Sequence, residues 1–209
     1  MSRSLRKKLA IASAIGLTSL AAVAIWIQTR PATPTGSISS SGGISLDLPA
    51  ATDGAYYLQN DPQWGADKIG GSGEPMASVG CTICAVAMAA EQLGYPITPQ
   101  QLNASLIENN GFTERGWLIW SAVGKVTNGK IQVTVPRGLT HAELDSALQN
   151  GKVPVVRYTM PSGYPHWVPI VGKSGKEYLV KDPLDAELKI SKLSDKADLI
   201  HSVRYVIQD

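Results

Sequence analysis

SVGCTICAVAM, Ser78 to Met88, contains both cysteines of a chain of 209 residues. They are spaced Cys-x-x-Cys and stand where a nearly all-apolar helix is predicted to begin. Such a pair fits three kinds of site: a redox pair, half of a metal site, or one nucleophile beside a second, inert cysteine. The choice depends on what the rest of the chain places beside this helix.

The two cysteines are predicted to be chemically unequal. Cys81 directly follows Gly80 at the amino end of the helix, where the positive end of the helix dipole favours thiolate over thiol. Cys84 lies one turn further in among apolar residues, where burial raises the pKa of a thiol. A structural zinc ion needs about four ligands. The chain has three histidines, all distant in sequence from this stretch, so no metal and no other cofactor is predicted.

The composition is that of a globular chain, with 44% hydrophobic and 17% charged residues. The net charge is +2 and the basic residues of the domain are scattered, so the sequence shows no electrostatic footprint for nucleic acid. Nothing in the sequence defines the oligomeric state.

Residues 1–30 are predicted to target the chain to a membrane. Basic residues from Arg3 to Lys8 precede an uncharged run from Leu9 to Ile27, and Arg30 follows. The run is long enough to cross a bilayer as a helix, and its basic flank predicts a cytoplasmic amino end with the remainder outside. The alternative is a cleaved signal peptide, because Ala22-Val23-Ala24 has the small-x-small form. The domain is then expected outside the cytoplasmic membrane, either anchored to it or released as a secreted or periplasmic protein.

Residues 31–52 are rich in Pro, Thr, Ser and Gly, and include Gly42-Gly43. Such a segment buries too little apolar area to offset the entropy of ordering it, so a flexible linker is predicted. The folded domain is expected to run from Asp53 to Asp209.

Helical signals dominate the first half of this domain and strand signals the second. Helices are predicted from Thr82 to about Leu93, from the capping box of Thr98 and Gln101 onward, and from Thr140 to Asn150. Strands are predicted over residues 153–160, 166–172, 177–183, 188–193 and 202–208. Helices followed by a run of closely spaced strands predict an α+β fold, with helices packed on an antiparallel sheet.

The segment YPHWVPIVGKSGKEYLVKDP, residues 164–183, is predicted to be a hairpin that turns at Lys173 to Lys176. A hairpin centred there places His166 opposite Asp182, or one position away. A nucleophilic thiol needs a nearby base, and the base needs a third group that fixes its tautomer. Together with Cys81 at a helix start, this pair predicts a catalytic triad.

Several segments resemble, in order and spacing, the C39-like cysteine peptidase domain of bacterial cell-envelope proteins. They are YLQNDPQWG, SVGCTICAVAMAAEQLG, the TP of ITPQQL, GFTERGWLIW, GKVPVV, HWVPIVG and YLVKDP. The resemblance covers about Tyr57 to Pro183 and implies a papain-like fold, with the nucleophile on the central helix and the base on the sheet. It implies that Cys81 is the nucleophile, His166 the base and Asp182 the orienting carboxylate. It also implies that Gln59 donates a side-chain N–H to an oxyanion hole, beside the backbone N–H of Cys81.

The predicted function is therefore an extracytoplasmic cysteine peptidase or amide hydrolase that acts on a peptide or protein. Cys84 departs from the family pattern, in which a small or hydroxyl residue is expected. One alternative is thus a thiol-disulfide oxidoreductase using Cys81 and Cys84, or a regulatory disulfide between them. The other is an inactive peptidase-like module that binds peptides.

Overall fold

The computed structural model describes residues 36–52 and 54–209. The predicted anchor or signal peptide, residues 1–30, lies outside these ranges. Among the described residues, no helix combines the length and apolar character needed to span a bilayer.

The described chain contains short and medium helices and a mainly C-terminal set of strands. The helices are α1 (Met76–Val79), α2 (Cys81–Gln92), α3 (Pro99–Glu108), α4 (Ala122–Val126) and α5 (His141–Gln149), and a 3₁₀ turn covers Leu193–Asp195. The strands are β1 (Ile38–Ser39), β2 (Ser41–Leu48), β3 (Ile131–Thr134), β4 (Val153–Thr159), β5 (Pro165–Val180), β6 (Ser191–Lys192), β7 (Leu199–Ile200) and β8 (Ser202–Gln208).

The main sheet has the strand order β2-β5-β4-β8-β3, with β6 paired to β5, and every pairing in it is antiparallel. Strands β1 and β7 form a separate antiparallel pair. The prediction of an α+β fold with helices on an antiparallel sheet is confirmed.

The sheet is covered on both faces, and β4 shows how the sequence achieves this. Val153 and Val155 pack with α2, whereas Val156 and Tyr158 pack with α5 on the opposite face, as alternation along a strand requires. Helix α2 lies deep in the first of these cores, where its residues from Cys84 to Ala90 are almost wholly excluded from solvent. The helix that carries both cysteines is therefore the central helix of the domain.

The predicted helices are confirmed together with their capping signals. The Thr98 hydroxyl accepts the Gln101 backbone N–H, and the Gln101 side chain accepts the N–H of Thr98 in return, which completes a capping box at α3. Thr140 accepts the N–H of Glu143 in the same way at the start of α5. Gly94, at φ +82°, follows the end of α2.

Strand β5 reverses direction within a single strand of sixteen residues. A straight strand of that length would extend over about 50 Å. His166 Nε2, near its start, nevertheless lies 2.7 Å from Asp182 Oδ1, just beyond its end. Gly175, at φ +59°, lies near the middle of the segment. The predicted chain reversal is present, but its tip is not a free loop: Ser174 and Lys176 are exposed, yet Lys173 and Gly175 pair with β2.

The prediction of a flexible linker is wrong for residues 38–48, which form β1 and β2. Leu48 and Leu46 of β2 pair with Lys173 and Gly175 at the tip of β5. The composition underestimates order here because β5 provides hydrogen-bond partners for backbone that the segment itself cannot satisfy. The ordered domain therefore begins before the predicted boundary at Asp53.

A buried ion pair holds β2 in place. Lys173 and Asp145, 1% and 3% exposed, contact each other directly. Lys173 Nζ also donates to the carbonyl oxygens of Gly42 (2.9 Å) and Ile44 (2.8 Å), and the Ile44 N–H donates to Asp145 Oδ2 (2.8 Å). Gly43, at φ +73°, is required here because a Cβ on it would lie 2.0 Å from that carboxylate oxygen. We call this arrangement the β2 clamp.

One predicted strand is mostly wrong. Of residues 188–193, only Ser191–Lys192 form a strand, and the 3₁₀ turn begins at Leu193. Leu188 itself adopts φ +54°, in the left-handed region, which breaks an extended run.

We expect Lys173→Met to lower the free energy of unfolding by about 3 to 5 kcal/mol, because it leaves Asp145 as an unpaired buried charge. Denaturant unfolding of the full chain would measure this change. Lys189→Met is the matched control: Lys189 pairs with Glu187 at the surface, with both side chains more than two-thirds exposed, so the expected change is below about 1 kcal/mol. Equal changes in the free energy of unfolding for the two substitutions would show that the β2 clamp does not stabilise the fold more than a surface ion pair does.

Candidate active site

Cys81 is the first residue of α2 and lies at a tight junction with α1. Gly80 separates the two helices, and a Cβ on it would lie 2.5 Å from the Met76 carbonyl oxygen, so only glycine fits. Cys81 is 8% exposed, whereas Cys84, one turn further along, is 0% exposed. Of the two cysteines at the start of α2, Cys81 is therefore the less completely buried.

His166 and Asp182 meet at the open end of the β5 reversal, as the sequence predicts. Their Nε2 and Oδ1 atoms lie 2.7 Å apart, and His166 is 1% exposed. The His166 ring also packs edge-on against Tyr158, with ring centroids 5.4 Å apart. Because Asp182 occupies Nε2, Nδ1 is the ring nitrogen that remains for the thiol of Cys81.

The Asp182 carboxylate is held by more groups than the imidazole alone. Oδ1 also accepts the backbone N–H of Leu184 (2.9 Å), and Oδ2 accepts the Tyr158 hydroxyl (3.4 Å) and lies 3.0 Å from Lys196 Nζ. Burial raises the pKa of this carboxyl, but the hydrogen bond and charge of His166, with Leu184 and Lys196, hold it well below its usual range. Asp182 is thus a fixed negative charge facing the imidazole.

The thiol and the imidazole shift each other's pKa values towards the ion pair. Burial raises the pKa of the Cys81 thiol, yet the hydrogen bond and charge of His166, aided by the Trp167 backbone and the Thr82 hydroxyl, bring it below its ordinary value. Burial lowers the pKa of His166, while its bonds to Asp182 and Cys81 raise it above its ordinary value. Both shifts favour a thiolate beside an imidazolium, the state in which cysteine is nucleophilic.

Cys84 has the opposite electrostatics. Burial, followed by the charges of Cys81 and Asp61, raises the pKa of its thiol far above the ordinary value. Both cysteines are free thiols. The predicted inequality between them is confirmed, and the setting of Cys84 is unfavourable for a thiolate that attacks or resolves a disulfide.

Gln59 lies between the two halves of the site and is 3% exposed. Its Nε2 donates to the Ala77 carbonyl oxygen of α1 (2.8 Å), and its backbone N–H donates to the carbonyl oxygen of Pro183 (2.9 Å), directly after Asp182. One N–H of the side-chain amide remains after the bond to Ala77. Its buried Oε1 has no hydrogen-bond partner among the described residues.

Three supporting residues were missed from the sequence: Tyr56, Tyr158 and Lys196. The Tyr56 hydroxyl accepts the Asp182 backbone N–H (2.8 Å) and lies 3.1 Å from the Asp182 carbonyl oxygen, to which it donates. The other two contact the Asp182 carboxylate. No local motif marks any of them, since each acts through a contact distant in sequence.

No cluster of three or more potential metal ligands occurs in residues 36–52 and 54–209. No protein-family model matches the chain, and no curated protein is similar to it.

We expect alkylation of Cys81 by neutral iodoacetamide to remain fast below the ordinary thiol pKa and to slow as pH falls through its lowered pKa. In His166→Ala, the imidazole that lowers the pKa of the Cys81 thiol is absent, while the burial that raises this pKa remains. Fast alkylation of Cys81 should therefore begin at a higher pH than in the wild type. Site-resolved mass spectrometry of the reduced full chain measures both profiles. Identical profiles in the two proteins would show that His166 does not activate the thiol.

We expect Cys84→Ala to leave the rate of Cys81 alkylation within about threefold of wild type, because the groups that lower the pKa of Cys81 are His166, the Trp167 backbone and Thr82. Thiol-disulfide exchange instead requires both sulfurs. Catalysis of insulin reduction by the wild type and its loss in Cys84→Ala would support the redox alternative over a single nucleophile.

Proposed function

We propose that this chain is a cysteine-dependent peptidase or amide hydrolase with a papain-like fold, related to the C39-like peptidase domains it resembles. The observation that carries the proposal is the buried hydrogen bond between His166 and Asp182 beside a thiol at the start of α2. This is the arrangement in which an oriented base activates a nucleophile. The antiparallel sheet behind a central helix is consistent with the proposed fold.

In the proposed reaction, the Cys81 thiolate attacks the carbonyl carbon of a peptide or amide, and the carbonyl π electrons move to its oxygen. His166 Nδ1 then gives its proton to the nitrogen of the leaving amine, and the C–N bond breaks to leave a thioester on Cys81. A water molecule next attacks the thioester while His166 takes its proton. Collapse of that second intermediate releases the carboxylic acid and restores the thiolate and the imidazolium.

The proposed oxyanion hole comprises the Cys81 backbone N–H and the second side-chain N–H of Gln59. The Cys81 amide lies in the first turn of α2, where backbone N–H groups have no intrahelical partner. The bond of Gln59 to Ala77 fixes its amide before substrate arrives, so little reorganisation is needed. Such a preorganised donor typically lowers an acyl-transfer barrier by about 3 to 4 kcal/mol.

The substrate we propose is a peptide or protein, and the place of action is outside the cytoplasmic membrane. The second part rests on the charge pattern of residues 1–30, which predicts export with the domain either anchored or released. Nucleic acid is not a proposed partner.

We expect Cys81→Ala to abolish cleavage of a defined random-peptide mixture by the full chain, with an unchanged unfolding midpoint. Asp182→Asn should reduce kcat/KM by more than about a hundredfold, because the imidazole loses its fixed charge. Gln59→Ala should reduce kcat by about a hundred- to a thousandfold. Mass spectrometry of the products measures all three.

Full cleavage by Cys81→Ala would contradict the proposed nucleophile. A folded, reduced wild type that neither cleaves peptides nor reacts with a peptidyl acyloxymethyl ketone would favour the alternative of an inactive, peptide-binding module. Cys84→Ala is the control in this assay and should behave as the wild type.

A further inference from the structure

Two arginines lie on the face of the sheet that packs against α2, at the end nearest the candidate site. Arg157 of β4 pairs with Trp167 of β5 on one side and with Ser202 of β8 on the other. Arg204 lies two residues beyond Ser202 and therefore on the same face. Its Nη1 donates to the Ser202 hydroxyl (2.9 Å), which directs the guanidinium back towards the row of Arg157 and Trp167.

This cluster is adjacent to the thiol. Trp167 directly follows His166, and its backbone is among the groups that lower the pKa of the Cys81 thiol. The Trp167 ring packs against Trp120, with centroids 5.0 Å apart, and the Arg204 guanidinium lies 5.1 Å from the Trp120 ring and 5.4 Å from the Trp167 ring. Two aromatic rings and a cation therefore form a wall that begins at the residue next to His166.

The positive charge of the cluster is not neutralised within the described chain. Neither Arg157 nor Arg204 forms an ion pair with a carboxylate among residues 36–52 and 54–209. Arg204 Nε is buried and has no hydrogen-bond partner there. Burial, and secondarily the charge of Arg157, lowers the pKa of Arg204 to about 10. A guanidinium with unused donors, stacked on aromatic rings beside a like charge, is suited to bind a carboxylate through two parallel hydrogen bonds.

We propose that Arg204, Arg157 and the Trp120–Trp167 pair form a substrate subsite for a carboxylate near the scissile bond. The inference rests on the proposed function and adds a specificity to it. The carboxylate is either an acidic side chain or the free carboxyl terminus of a short peptide, since both present the same planar anion. Arg204 and Arg157 act in substrate binding and not in the bond-breaking steps.

The test compares two reagents of similar size and different charge on Cys81 of the full chain, anionic iodoacetate and neutral iodoacetamide. His166 also attracts the anion, so the diagnostic quantity is the change in the rate ratio between variants. Arg204→Gln and Arg157→Gln should each lower the iodoacetate-to-iodoacetamide ratio by about threefold to tenfold. Arg137→Gln, which removes the same charge from an exposed position, should leave it within about twofold.

Unchanged ratios in both folded variants would overturn the subsite, as would an equal fall in Arg137→Gln. If Arg204→Gln fails to fold by circular dichroism, Arg157→Gln and Arg204→Lys decide the question. Failure of the proposed function gives a different result. In that case even neutral iodoacetamide would react slowly with wild-type Cys81 at neutral pH. The ratio is still measurable in that case, at a pH above the ordinary thiol pKa.

Protection of Cys81 from iodoacetamide identifies the source of the carboxylate. The probes are acetyl-Ala-Glu-Ala amide, acetyl-Ala-Gln-Ala amide and acetyl-Ala-Gln-Ala with a free carboxyl terminus. Protection by the Glu peptide alone assigns the subsite to acidic side chains, and protection by the peptide with a free carboxyl terminus alone assigns it to terminal carboxylates. In either case the protection should be lost in Arg204→Gln. Equal protection by all three peptides, or none by any, would contradict a carboxylate subsite.

Discussion

The hydrogen bond between His166 and Asp182 depends on more of the fold than any other contact in the candidate site. It joins the two ends of β5, so it exists only if the strand reverses and the sheet holds both arms in register. Strand β4 fixes one arm through the pairing of Tyr158 with His166. The other arm is fixed by the Tyr56 hydroxyl at the Asp182 backbone. The orientation of the imidazole is therefore a property of the assembled sheet and not of a local loop.

The β5 reversal has one buried charged pair at its tip and another at its open end, and the two pairs have different consequences. At the tip, Lys173 and Asp145 form an ion pair, and Lys173 also donates hydrogen bonds to the backbone of β2. Both charges therefore stabilise the fold. At the open end, Asp182 hydrogen-bonds one nitrogen of the His166 ring and leaves the other for Cys81, which is 8% exposed. Similar desolvation thus stabilises the fold in one place and, in the proposed function, activates a thiol in the other.

Much of the fold could be predicted because its signals are local. The capping box of α3 lies within four consecutive residues, and β8 occupies the predicted residues 202–208. The approach of His166 to Asp182 followed from counting residues about a turn. The order of β2 could not be predicted, because it depends on a lysine that composition places in an exposed turn and that the structure buries. Gln59 and Tyr56 were equally invisible to local patterns, since their partners lie 18 and 126 residues away. Only the resemblance singled out Gln59, and nothing singled out Tyr56.

The course of the N-terminal segment has a mechanical consequence. After β2, Ala51 N–H bonds to the Val171 carbonyl oxygen and Lys181 Nζ reaches the Gly54 carbonyl oxygen, so residues 41–52 and 54–59 follow β5 towards Gln59. A pulling force applied through the residues before 36 would load β1 and then the buried clamp on β2 before any tension reached Gln59. The β2 clamp therefore lies between the N-terminal end of the described chain and Gln59, the residue proposed as an oxyanion donor.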